Sequence, residues 1–78
     1  MHWIQRHILK RLAFADALHY AELKPDEVEG NLFQYHSREL EKQGLITRAR
    51  GVYTLTAAGK IAVADLSLAK GMRRRSME

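Results

Sequence analysis

The side chains best suited to recognition chemistry stand in one stretch, residues 30–45, with the sequence GNLFQYHSRELEKQGL. Asn31, Gln34, Tyr35 and Arg38 carry amide, phenol and guanidinium groups. Amides can hydrogen-bond to the edge of adenine, and a guanidinium group can bind guanine or a phosphate. The chemistry that these groups favour is therefore non-covalent recognition, with DNA as the first candidate partner.

One amphipathic helix would position these groups. Phe33, His36 and Leu40 recur at helical spacing and share an inward stripe, so the four polar residues point elsewhere. Asn31 is predicted to cap the first turn, and Gly44 is predicted to end the helix in the left-handed conformation. His36 is expected to be an inward or half-buried histidine whose polar atoms are satisfied.

Two further helices are predicted before this stretch. Residues 2–15 form the first, and residues 20–23 form a short second one that stops before Pro25, because proline disfavours α geometry in the preceding residue. Residues 26–30 form a turn, with Val28 filling the gap between helices. A short helix, a tight turn and a longer helix make a helix-turn-helix. The inward face of the first helix is expected to carry Ile4, Ile8, Leu12 and Ala15.

A β-hairpin is predicted directly after Gly44. Residues 45–48 and 52–56 are two β-rich runs, and Gly51 between them is placed for a hairpin turn. Alternation puts one face of the second run against the helices. Arg48 and Arg50 lie near the tip and are expected to point outward.

A last helix is predicted from residue 57 to about residue 70. Thr56 is its expected N-cap, and Gly71 its expected end. Its larger apolar residues are Ile61, Leu66 and Leu68. Residues 1–71 are therefore predicted to form one domain, and residues 72–78 a basic, disordered tail.

Composition excludes several classes of function. The chain has 78 residues, a net charge of +4 and no cysteine, which excludes disulfides and thiolate zinc sites. It contains neither a membrane-spanning stretch nor a signal peptide, so a soluble protein of the reducing cytoplasm is expected. The charge suits a polyanion partner, although Asp26, Glu27 and Glu29 crowd the approach to the polar helix.

No catalytic or metal-binding constellation is evident. The five glycines are isolated, so there is no phosphate-binding loop. The histidines are His2, His7, His19 and His36, and no two have the three- or four-residue spacing that would place both on one metal. We therefore expect no enzyme activity, no cofactor and no metal.

The segments YAEL, NLFQYHSRELEKQGLI and GVYTLTAAGK resemble the winged-helix transcriptional regulators, in particular the MarR-like and ArsR-like groups. The resemblance covers most of residues 4–68. It implies a mostly α fold with a small β-hairpin wing, in the order α-α-α-β-β-α, although a short strand before the second helix is permitted. Ser37 departs from the family, which usually has leucine there. It would either leave a polar gap or bond to a backbone carbonyl.

The resemblance also implies a function. In such proteins the recognition helix enters the major groove, and the wing contacts the backbone or the minor groove. A homodimer through the first and last helices, bound to double-stranded DNA, would follow. By position, the DNA contacts would come from Asn31, Gln34, Tyr35 and Arg38 on the helix and from Arg48 and Arg50 on the wing. The alternative is a winged-helix protein-interaction module without DNA binding, which the acidic turn favours.

Overall fold

The computed structural model describes residues 1–75, with the side chains of residues 1–66. Within this part the chain forms four helices and one three-stranded antiparallel sheet, a small mixed α/β domain. The strands lie in the order β1-β3-β2. The elements are α1 (Trp3–Ala15), β1 (Ala17–His19), α2 (Tyr20–Leu23), α3 (Gly30–Lys42), β2 (Ile46–Ala49), β3 (Val52–Leu55) and α4 (Ala57–Arg75).

Strand β1 is the main addition to the predicted order. The sequence permitted a strand before the second helix but treated the segment as a connection. Ala17, Leu18 and His19 pair antiparallel with β3, and Leu18 lies opposite Tyr53. Only Leu18 of the three is buried. A run this short has no alternation to detect, and its strand geometry depends on β3, which lies far along the chain.

The hydrophobic core is formed by every element up to β3. Its members are Ile4, Ile8, Leu9, Leu12, Leu18, Leu23, Val28, Phe33, Leu40, Ile46 and Tyr53. The prediction for α1 is confirmed at Ile4, Ile8 and Leu12 but wrong at Ala15, which is exposed. Ala15 is the last residue of α1, where the chain turns away through Asp16, whose φ is 68°. Leu9 takes a core position instead.

Three aromatic rings connect α2, α3 and the sheet. The rings of Tyr20 and Phe33 lie edge to face, with centroids 5.3 Å apart. The rings of Phe33 and Tyr53 have the same arrangement at 6.3 Å. Edge-to-face pairs at such distances are favourable beyond the area they bury. This row of contacts fixes the inner side of α3.

The connection between α2 and α3 forms as predicted, with one unforeseen contribution. Helix α2 ends before Lys24, whose ψ of 123° is extended, and Val28 is buried. The Lys24 ammonium group donates hydrogen bonds to the carbonyl oxygens of Pro25 at 3.0 Å and Val28 at 2.8 Å. The Lys24 side chain therefore bridges two backbone carbonyl groups of the turn.

Helix α3 begins two residues earlier than it would with Asn31 as its N-cap. Glu29 is the N-cap, and its carbonyl oxygen accepts a hydrogen bond from the Phe33 amide at 2.9 Å. The predicted capping role of Asn31 is therefore wrong, because Asn31 lies within the first turn. The predicted end at Gly44 is confirmed: Gly44 has a φ of 76°, and the Leu45 amide donates to the Leu40 carbonyl oxygen at 3.0 Å.

Helix α4 is capped as predicted. The Thr56 hydroxyl accepts a hydrogen bond from the Gly59 amide at 2.9 Å and donates one to the Gly44 carbonyl oxygen at 2.6 Å. Gly59 packs so closely that a Cβ there would collide with the Leu45 carbonyl oxygen. The cap thus joins the start of α4 to the end of α3.

The rest of α4 is longer than predicted. Val63 packs against the core, whereas Ile61 is 63% exposed. The helix continues to Arg75, beyond Gly71, where the sequence predicted its end. The side chain of Leu68 and residues 76–78 of the predicted tail lie outside the described residues. No helix in the described residues is long and apolar enough to cross a membrane.

Candidate functional site

The outer face of α3 carries a groove of about 390 Å³ whose lining residues all have polar or charged groups. Its positions follow helical spacing over nearly the whole helix, so the side chains form one stripe. The groove brings together four of the six residues predicted to contact DNA. Its lining residues are Asn31, Gln34, Tyr35, Arg38, Glu39 and Lys42.

The four predicted residues in the groove present their polar groups to solvent. Asn31, Tyr35 and Arg38 are exposed, and Gln34 is half-buried. Tyr35 is 57% exposed, and its ring meets His36 edge to face at 5.0 Å. In the described part of the chain none of these four side chains forms a hydrogen bond or an ion pair. Their donors and acceptors are therefore available to a ligand.

The groove also contains one ion pair that the sequence analysis did not include. The Lys42 ammonium nitrogen lies 3.5 Å from a Glu39 carboxylate oxygen. An exposed pair of this kind is worth little in stability. Lys42 partly offsets the negative charge of Glu39. The guanidinium group of Arg38 adds a further positive charge, so the groove is not acidic. The signal that could have assigned Lys42 to the groove is its position four residues after Arg38, which is helical spacing.

The inner side of α3 holds two buried polar residues, His36 and Ser37. The Ser37 hydroxyl donates a hydrogen bond to the Gln34 carbonyl oxygen at 3.0 Å. Of the two expectations for Ser37, bonding to a backbone carbonyl is the one that the structure bears out. The expectation of a buried and satisfied His36 is also confirmed, since its Nδ1 atom lies 2.9 Å from the side-chain nitrogen of Gln5.

His36 connects α3 to the start of α1. Its ring stacks on His2 with centroids 4.0 Å apart, and the Ile4 amide donates to Nδ1 of His2 at 3.1 Å. The amide nitrogen of Gln5 is a donor, so Nδ1 of His36 is the acceptor in this contact. Burial lowers the pKa of His36, the neighbouring His2 lowers it further, and Glu39 opposes the shift.

Arg48 and Arg50 lie on the β2–β3 hairpin rather than in the groove, and both are exposed. Ala49 pairs with Val52, so the connection is the two-residue turn Arg50-Gly51. Both turn residues have positive φ, 54° and 78°. A two-residue turn of this kind matches the twist of the strands but usually contains asparagine or glycine. Arg50 therefore occupies a strained position at the tip of the hairpin.

The acidic turn between α2 and α3 is exposed. Asp26, Glu27 and Glu29 all face solvent, and Glu29 directly precedes α3. These carboxylates oppose an anionic ligand at the start of α3. Attraction would be strongest towards Arg38 and Lys42, in the second half of the helix.

Among the described residues, no group of three or more histidine, aspartate or glutamate side chains is arranged to hold a metal ion. Comparison of the chain with protein-family models, with curated proteins and with solved structures found no match. The features of the chain that bear on its function are therefore the geometry of α3 and of the hairpin.

Proposed function

We propose that this chain is a sequence-specific DNA-binding transcriptional regulator of the winged helix-turn-helix type. The observation that carries the proposal is the groove on α3, whose outward amide, phenol and guanidinium groups have no described intramolecular partner. In this arrangement α2 and α3 are the helix-turn-helix, α3 is the recognition helix, and the β2–β3 hairpin is the wing.

The chemistry of the two surfaces suits different parts of a duplex. Asn31 and Gln34 can pair with the major-groove edge of adenine, and Arg38 can bind guanine or a phosphate. Arg48 and Arg50 are on a separate surface and would contact the backbone or the minor groove. Phosphate contacts would supply affinity, whereas the α3 amides would supply specificity.

The proposed active form is a homodimer through α1 and α4. Large apolar side chains on these helices are exposed: Trp3 is 48% exposed, Phe14 94% and Ile61 63%. Burying such residues against a second copy would remove apolar surface from water. Two-fold symmetry would then place two copies of α3 in successive major grooves, about 34 Å apart.

The proposal is tested by fluorescence anisotropy with a library of labelled genomic duplexes. Binding should weaken steeply between about 50 and 200 mM salt, because counterions are released from the phosphates. The double variant Arg38→Ala with Arg50→Ala should bind at least about tenfold more weakly and show a shallower salt dependence.

A matched control removes the same charge elsewhere. Arg6 and Lys10 are exposed on α1, outside both proposed DNA-contact surfaces, and because α1 is also proposed to form the dimer, both double variants are compared on a duplex that carries a single half-site. The double variant Arg6→Ala with Lys10→Ala should therefore retain most of the affinity. Affinity that is independent of salt, or equal losses in the two double variants, would contradict the proposal.

The second candidate is a protein-interaction module without DNA binding. The observation in its favour is the exposed acidic turn beside Leu32, an apolar residue of α3 that is 45% exposed. Such a surface would suit a basic protein partner. The same titration separates the two functions, since this module would bind no duplex in the library.

A further inference from the structure

A second cavity, also of about 390 Å³, lies between α1, β3 and α4, and its lining shares no residue with the α3 groove. Pockets for small molecules commonly fall between about 300 and 1,000 Å³. Its apolar lining comes from Leu12, Ala13, Leu55 and Val63, and its polar lining from Asp16, Thr54 and Lys60. None of these residues belongs to the proposed DNA surface.

Two opposite charges line this one cavity without pairing. In the described part of the chain, neither the Asp16 carboxylate nor the Lys60 ammonium group takes part in a side-chain hydrogen bond or an ion pair. Their backbones are nevertheless fixed. The Asp16 amide donates to the Leu12 carbonyl oxygen at 3.0 Å, and the Lys60 amide donates to that of Thr56 at 2.9 Å.

Asp16 also has an unusual backbone conformation. Its φ of 68° and ψ of −48° are seldom adopted by a residue with a side chain. Such positions are concentrated at ligand-binding and catalytic sites. Asp16 is thus both the strained residue and the residue that supplies a carboxylate to the lining of the cavity.

We propose that this cavity binds a small zwitterion with an apolar body, namely a free α-amino acid with an apolar side chain. The ammonium group of the ligand would be bound by Asp16, its carboxylate by Lys60, and its side chain by Leu12, Leu55 and Val63. A neutral apolar ligand would leave both charges unused. A ligand with one charge would leave one of them unmatched.

The test is an amide NMR titration of the isotope-labelled full chain with L-leucine and L-phenylalanine, in the absence of DNA. Saturable shifts are expected at Ala13, Thr54 and Leu55. Asp16→Asn and Lys60→Gln should each raise the Kd at least about tenfold, because each removes one charged hydrogen bond. Asparagine tolerates positive φ, so Asp16→Asn should keep the fold.

Matched controls define the outcomes. Asp26→Asn and Lys10→Gln remove the same charges at exposed positions outside the cavity and should leave the Kd unchanged. Leucine analogues that lack either the ammonium or the carboxylate group should bind at least about tenfold more weakly. The absence of saturable shifts, or equal binding by the analogues or by both cavity variants, would overturn the proposal. None of these results depends on whether α3 binds DNA.

Discussion

At the scale of single residues, His36 makes the stability of the domain depend on pH. Its pKa is lowered from the ordinary value of 6.5, first by burial and then by His2, against an opposing effect of Glu39. The folded chain therefore binds fewer protons here than the unfolded chain does. Above pH 6.5, His36 does not reduce the free energy of unfolding. That free energy decreases as the pH falls from 6.5 towards the lowered pKa of His36, and below that pKa this group changes it no further.

The prediction is a decrease in the free energy of unfolding on acidification, measured by urea denaturation from about pH 8 to about pH 5. Protonation at Nδ1 would also remove the acceptor for Gln5, which reinforces the decrease. His36→Gln should reduce the pH dependence because glutamine does not titrate. His7→Gln, which changes a histidine outside this contact, should retain it. Equal slopes for His36→Gln and the unchanged chain would contradict this account.

At the scale of elements, the β2–β3 hairpin combines a strained turn with a charged tip. Arg50 has a φ of 54°, where a residue with a side chain costs about 1–2 kcal/mol relative to its preferred conformations. Arg50→Asn should therefore raise the free energy of unfolding by about 0.5–1 kcal/mol, because asparagine is favoured in such turns. The same change should weaken the proposed DNA binding.

The control for the hairpin is the same substitution two residues earlier. Arg48→Asn removes an equal charge from β2, where φ is not positive. It should weaken DNA binding without a gain in stability, since asparagine is disfavoured in strands. Urea denaturation and fluorescence anisotropy measure the two effects separately. A stability that is unchanged or lower in Arg50→Asn would show that the turn is not strained.

The sequence predicted those features of the helices that depend on residues close together in the chain. The bounds of α2, the Thr56 cap and the glycine after α3 each follow from residues within a few positions, and the structure has all three. The stripe of Asn31, Gln34, Tyr35 and Arg38 was predictable for the same reason, since helical spacing alone places these residues together.

The features that the sequence did not predict depend on contacts between segments that are far apart in the chain. Strand β1 exists through its pairing with β3, and the stack of His2 on His36 joins the N-cap residue of α1 to α3. The cavity at Asp16 and Lys60 likewise needs α1 and α4 to be placed before it can be seen. The predicted end of α4 at Gly71 was wrong for another reason: an isolated glycine lowers helix propensity but does not by itself end a helix.

At the scale of the whole molecule, the exposed apolar residues on the outer faces of α1 and α4 bear on the oligomeric state of the protein. Phe14 is almost fully exposed, and domains of this size bury a smaller share of their chain's surface on folding than larger domains do. Burying Phe14 against a second copy would contribute about 1.5–3 kcal/mol per side chain. The predicted state is therefore a two-fold symmetric dimer in which each Phe14 is removed from water.

Phe14→Ser tests this state by sedimentation velocity over a range of protein concentrations. The substitution should raise the dimer dissociation constant at least about tenfold, since both copies lose the apolar ring. It should leave the fold intact, because Phe14 is outside the core of each copy. Leu32→Ser is the matched control, as Leu32 is also exposed but lies on α3. A monomer at all concentrations, or equal weakening by both substitutions, would exclude α1 as the dimer contact.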